Sequence, residues 1–120
     1  SNEEMESLAA KIPTATFDDF AEVQQHLTTV HPSRYGAMVD GVEAVLLKDV
    51  RTICDQAAAL RFVVLVDRLY DRDIPVRASG VPLDEVFTPE MLGGGYRKKY
   101  FRAISRVVAL SRESDKNGIL

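Results

Sequence analysis

The sequence predicts an α/β fold: a small parallel sheet of two or three strands with crossover helices and a C-terminal basic amphipathic helix. Three observations carry this. Short β-leaning segments alternate with segments of helical period, in the order strand, helix, helix, strand, long helix, strand, short helix, basic helix. The 120 residues are 46% hydrophobic and 28% charged, the balance of one globular domain with a single modest core. Between Arg97 and Arg112, six basic residues and no acid accompany apolar positions three and four apart.

Residues 1–12 are polar and acidic with weak helical signal, and are expected to be a flexible lead-in or the remnant of an excision boundary. The domain proper is expected over 13–113, and 114–120 as a flexible tail. Thr14-Ala15-Thr16-Phe17 leans toward strand and meets Asp18-Asp19, either of which can cap a helix running to about Leu27. On that helix Phe20, Val23 and Leu27 share one side. His31-Pro32-Ser33 breaks it, Pro32 suits the first turn of a short helix through Met38, and Gly41 closes that element.

Residues 42–47 are short and apolar and read as a buried strand. Thr52 and Asp55 have capping-box spacing before a helix extending to about Arg72. Within it, Phe62-Val63-Val64-Leu65-Val66-Asp67 imitates a strand ending in an acid, the pattern of a magnesium-binding Walker B segment. Periodicity decides for helix: at about 100° per residue, Ala59, Phe62, Val63, Val66, Leu69 and Tyr70 share a broad face. Asp67 falls with Arg61, Arg68 and Arg72 on the other, as a solvated residue. Residues 74–78 form the next strand, with Pro75 at its start or on an edge, and a turn at 79–82 leads to a short helix around 83–87.

Gly93-Gly94-Gly95 lacks the Gly-x-x-x-x-Gly-Lys-Ser/Thr spacing of a phosphate-binding loop and reads as a hinge or helix-terminating loop. In the last helix, Tyr100, Phe101, Ile104, Val107 and Val108 form the expected apolar face. Lys98, Lys99, Arg102 and Arg106 form a basic stripe opposite it.

The chemistry this composition excludes is broad. One cysteine, Cys54, allows no internal disulfide; it is expected inside a helix as a buried structural thiol. Two histidines are too few for a histidine-built metal site, so no metal ligand is assigned; His31 reads as a loop or capping residue. The acid pairs Asp18-Asp19, Asp71/Asp73 and Asp84-Glu85 flank turns and helix starts, where carboxylates cap. No nucleophile motif occurs, and no catalytic residue is assigned. The longest apolar run, 62–66, falls far short of the about 20 residues of a membrane span. A net charge of −3 argues against general nucleic-acid binding. Charge is segregated, however: outside the basic segment, nine of the 15 basic residues face all 18 acids. Arg102 and Arg106, one turn apart, are placed to fork onto phosphate or carboxylate oxygens, with Lys98 and Lys99 as weaker anion or partner contacts.

Four blocks of this chain resemble the C-terminal region of the ZapE family, the AFG-one-like AAA+ P-loop ATPases of cell division and mitochondria. They are His31-Pro32-Ser33-Arg34-Tyr35; the run from Phe62 to Asp71; Ile74-Pro75-Val76-Arg77-Ala78-Ser79-Gly80-Val81-Pro82 continuing into Leu83-Asp84-Glu85-Val86-Phe87; and Tyr100-Phe101-Arg102-Ala103-Ile104-Ser105-Arg106-Val107, similar to the family's Arg-Thr/Ala-x-Ser-Arg-Leu box. They occur in the family's order over about Phe17 to Arg112. Arg34 stands where the family has an acid, and Val107 where it has leucine.

The resemblance implies a C-terminal domain of such an ATPase. Walker A, the true Walker B strand and sensor 1 lie N-terminal in the family and are absent from these residues, so the fragment is expected not to hydrolyse ATP by itself. It implies no cofactor in the fragment, and ATP with magnesium for the full-length protein. Arg102 and Arg106 become candidates for nucleotide or subunit-interface contacts. The implied partners are the remainder of the ATPase chain, further copies of it and the division-ring protein FtsZ, in the cytoplasm. The residues alone also support a stand-alone interaction module that holds an acidic partner through the basic helix.

Overall fold

The computed structural model describes residues 1–116, with side chains to residue 113. The first strand, β1 (Ala15–Asp19), ends on Asp19, whose carboxylate accepts from the Ala21 amide at 2.9 Å and so starts α2 (Phe20–Leu27). His31 caps the next turn, its Nδ1 accepting from the Ser33 amide at 3.1 Å. A 3₁₀ turn, Pro32–Arg34, runs into α3 (Tyr35–Val39). Strand β2 (Ala44–Val50) follows, then α4 (Gln56–Asp71) and β3 (Val76–Gly80). A 3₁₀ turn at Leu83–Glu85, α5 (Pro89–Leu92) and α6 (Arg97–Lys116) complete the order. The predicted class holds: the sheet has three strands, all parallel, in the order β1-β2-β3. Of the tail expected at 114–120, residues 114–116 continue α6 and 117–120 lie outside the described residues.

Alternation along β2 builds two layers. Val45 and Leu47 join the main core with α2, α4 and α6, whereas Ala44 and Leu46, equally buried, face the other way. That second face lies under a helix, α1 (Asn2–Lys11), where a flexible lead-in was expected; α1 contacts β1 and β2 and buries Met5. The Asn2 amide group donates to Asp49 Oδ1 at 2.9 Å, and the Ser79 hydroxyl donates to Asn2 Oδ1. This ties α1 to the ends of β2 and β3. Strand β2 runs three residues past its expected end because a bulge between Leu47 and Val50 lets it stay paired to β3, with Asp49 at φ +57. Gly80 closes this corner at φ +96, where a Cβ would stand 2.5 Å from the Val50 carbonyl oxygen.

The start of α4 corrects two expectations. Its cap is Asp55, whose carboxylate accepts from the Ala58 amide at 2.9 Å. Thr52 instead donates to the Glu85 carbonyl at 3.0 Å, and Ile53 bridges to Phe87. The helix therefore begins after Cys54, which is exposed in the preceding loop and is not a buried helical thiol. At the other end Asp73, at φ +51, lets the Ile74 amide reach the Leu69 carbonyl at 3.1 Å and the Asp73 amide reach that of Tyr70, a Schellman ending.

An aromatic chain crosses the core. Phe20 of α2 meets Phe62 of α4 edge-on at 5.6 Å, Phe62 meets Phe87 at 6.2 Å, and Phe87 tilts on Tyr100 of α6 at 4.7 Å. Tyr35 is also buried, its hydroxyl donating to the Leu27 carbonyl at 2.7 Å. Burial pushes the Tyr35 phenol up, against a smaller opposing pull from Arg61; burial also raises Tyr100, with Tyr96 adding to it. A phenol whose folded value lies above its unfolded value of about 10 contributes stability that is complete below pH 10. That contribution is lost as pH climbs toward the folded value. The unfolding free energy is therefore expected to fall above about pH 10, and less steeply in Tyr35→Phe, as equilibrium denaturation across alkaline pH will show.

Candidate functional site

Helix α6 lies against α4 and β3, and its rotation decides what its basic residues can do. The buried positions are Tyr100, Ala103, Val107 and Leu110, while Phe101 is 51% exposed. This corrects the expected apolar face of Tyr100, Phe101, Ile104, Val107 and Val108. Ala103 and Leu110 replace Phe101 in the seam, so the buried arc turns toward the arginines. At about 100° per residue, Arg102 and Arg106 then sit at the edge of the α4–α6 seam and not on the far side of the helix.

Asp67 of α4 meets them there. Arg106 Nη1 donates to Asp67 Oδ1 at 2.7 Å, and Arg102 Nη2 stands 3.8 Å from Oδ2. The Arg106 guanidinium also lies over the Tyr70 ring, 4.9 Å from its centroid. The Asp67 side chain is only 15% exposed, against 31% for Arg106 and 50% for Arg102. The expected solvated Asp67 is thus a half-sequestered acceptor, and the expected outward pair of guanidiniums divides its roles. Arg106 is held by an acid of its own domain. Arg102, one turn away and touching Asp67 only loosely, keeps half its surface open.

Shelter from water strengthens the attraction within this bridge and also raises the cost of leaving either partner alone. The bridge also fixes the Arg106 side chain, whose freedom would otherwise be lost on binding anything. Toward the start of α6, Lys98 and Lys99 are exposed, with Lys99 Nζ 5.7 Å from the Tyr96 ring centroid. The structure therefore does not gather all four basic residues at one point. Arg102 and Arg106 share the Asp67 carboxylate, and the two lysines stand a turn or more earlier.

Asp67 and Tyr70 are the residues of this site that sequence reasoning missed. The Asp67 partner lies 39 residues on, so no local spacing announces the pair. Elsewhere, an apolar recess of about 420 Å³ between α2, α3 and the sheet takes no residue from α6 and carries Asp18, Glu22 and His26 on its polar side. Among the described residues no group of three or more His, Cys, Asp or Glu side chains is placed to hold a metal ion, and no helix is long and apolar enough to cross a membrane.

The geometry is thus a parallel α/β unit in which Arg106 is bound to Asp67 of its own domain and Arg102 stands half-open beside it. Its sequence matches the AFG1-like ATPase family over residues 2–116. The chain belongs to that family. No curated protein and no solved structure matches it.

Proposed function

We propose that this chain is the C-terminal part of an ATP-hydrolysing, cell-division-associated AAA+ ATPase of the ZapE type, acting in the cytoplasm. It supplies an arginine contact and a partner surface to a nucleotide site completed by the rest of that protein. Family membership supports the ATPase setting. The observation that carries the assignment to α6 is the unequal pair: Arg106 bound to Asp67 at 2.7 Å, Arg102 half-open beside it. A guanidinium on a packed helix can offset charge developing on a transferred phosphoryl group without reorganising at the moment of reaction. Arg102 is the contacting residue, in cis or across a subunit boundary, and Asp67 and Arg106 position it. ATP and magnesium belong to the full-length protein, since these residues contain no Walker A loop. The partners of this surface are the remainder of the ATPase chain, neighbouring copies and the division-ring protein FtsZ.

Arg102→Ala in the full-length protein is expected to lower ATP turnover by about tenfold or more, while the thermal unfolding of the domain stays close to that of the parent. Unchanged turnover and unchanged assembly in both Arg102→Ala and Arg106→Ala would overturn the proposal. A second reading, a stand-alone module for an acidic partner, draws on the exposed Lys98 and Lys99 at the start of α6, whose first turn holds no acid.

A further inference from the structure

Phe101 and the recess beneath α2 take no part in the reading above, and their chemistry is reciprocal. Among the described residues three large hydrophobic side chains are exposed, Tyr70, Tyr96 and Phe101. A cation covers each tyrosine ring, Arg106 over Tyr70 and Lys99 over Tyr96. Phe101 is the most open of the three, at 51%, and no ring or cation lies against it among the described residues. At about 100° per residue it shares the flank of α6 opposite Arg106 with Ile104 and Val108, both half-buried. Arg97 and Lys98, one turn earlier, are exposed beside it. Arg97 Nη1 donates to the neutral Gly94 carbonyl at 3.0 Å, a contact that leaves its charge uncompensated. Asp84 stands by Val108 and Arg112 at the far end of the flank, so its cationic part is the first turn.

The recess of about 420 Å³ has the opposite character. Its walls are apolar, with Val23, Leu27, Leu65 and Leu69 among them, and its polar side holds Asp18, Glu22 and His26 without a lysine or arginine. Asp18 and Glu22 are exposed and make no ion pair among the described residues. Charge over the chain divides the same way: six bases and no acid between Arg97 and Arg112, nine bases against 18 acids elsewhere. The recess takes Thr16 and Asp18 from β1, at one edge of the sheet, whereas α6 packs on β3 at the other. One copy cannot bring its own two surfaces together.

We propose that the Phe101 flank of α6 docks into the recess of a second copy, head to tail. Phe101 is the anchor, and Arg97 and Lys98 face Asp18 and Glu22. A second copy is the occupant because it carries an uncovered ring and unneutralised cations on one flank, complementary to an apolar, acid-rimmed hollow. A twofold contact of either surface with itself would instead set like charges together. Because the two surfaces differ, each bound copy keeps one free, and the contact can propagate. The proposal rests on the reading of neighbouring copies as partners of this chain and gives them a surface. Arg102, Arg106 and Asp67 lie outside it.

The test is sedimentation velocity on the 120-residue chain. Its weight-average mass is expected to rise as concentration passes roughly 100 μM, the range of small transient interfaces, and the rise is expected to weaken with added salt. Phe101→Asp and the pair Asp18→Lys with Glu22→Lys alter exposed side chains, and circular dichroism checks that both variants are folded. Each alone is expected to stay monomeric. Mixed in equal amounts they are expected to form 1:1 dimers and nothing larger, since only one complementary pair of surfaces survives. A parent that stays monomeric to about tenfold higher concentration would overturn the proposal and assign the recess to a different chain. So would association of either variant as strong as the parent's, or a mixture that stays monomeric while the parent associates. ATP turnover in Arg102→Ala tests the nucleotide role separately, so either result can fail without the other.

Discussion

Phe62→Ala is expected to lower the unfolding free energy by about 4 kcal/mol. Phe62 is fully buried and stands between Phe20 and Phe87, edge-on to both, so truncation removes two aromatic contacts and leaves a void at the centre of the core. Domains of this size have about 5–15 kcal/mol to lose. Because Phe87 also leans on Tyr100, the void loosens the seat of α6 as well as that of α2. Urea unfolding will read the loss as a lower midpoint at unchanged slope. A fall below about 1 kcal/mol would mean that neighbouring side chains collapse into the space.

Asp67→Ala is expected to cost about 2 kcal/mol, less than the 3–5 kcal/mol of a fully buried pair because Arg106 keeps partial access to water. The substitution leaves a partly desolvated guanidinium over the Tyr70 ring without its acid. Denaturant unfolding of the single and double variants with Arg106→Ala gives the coupling. A cost below about 0.5 kcal/mol would place the pair among ordinary exposed bridges.

What was legible in the sequence was what neighbouring residues decide. The Asp19 cap and the helical period through Phe62 and Val66 are local, so the strand-like imitation of Walker B resolved correctly into α4. Capping-box spacing put Thr52 at the cap with Asp55 three residues on, but a distant contact decided otherwise: the Glu85 carbonyl claims the Thr52 hydroxyl and Asp55 is left as the cap. That choice moved Cys54 out of the helix and into solvent. The face of α6 was illegible for a related reason. Ala103 adds little hydrophobic signal and Phe101 much, yet the seam with α4 takes the small residue and leaves the large one exposed. The weak helical signal of residues 1–12 understated α1 because Met5 and Leu8 are a faint stripe in an acidic segment, and its worth appears only once Ala44 and Leu46 need cover.

The candidate site follows the same division. Arg102 and Arg106 stood out by spacing, whereas their acid lies on another helix and emerged only from the packing of α4 against α6. Of the glycine run, Gly93 closes α5, as its reading as a helix-terminating loop expected.

The most direct test of the account is a double-mutant cycle on ATP turnover in the full-length protein, pairing Asp67→Ala with Arg102→Ala. If Asp67 acts by positioning the arginines, both single variants lose turnover and the double variant is no slower than Arg102→Ala alone. Full turnover in Arg102→Ala, or losses that simply multiply in the double variant, would contradict it.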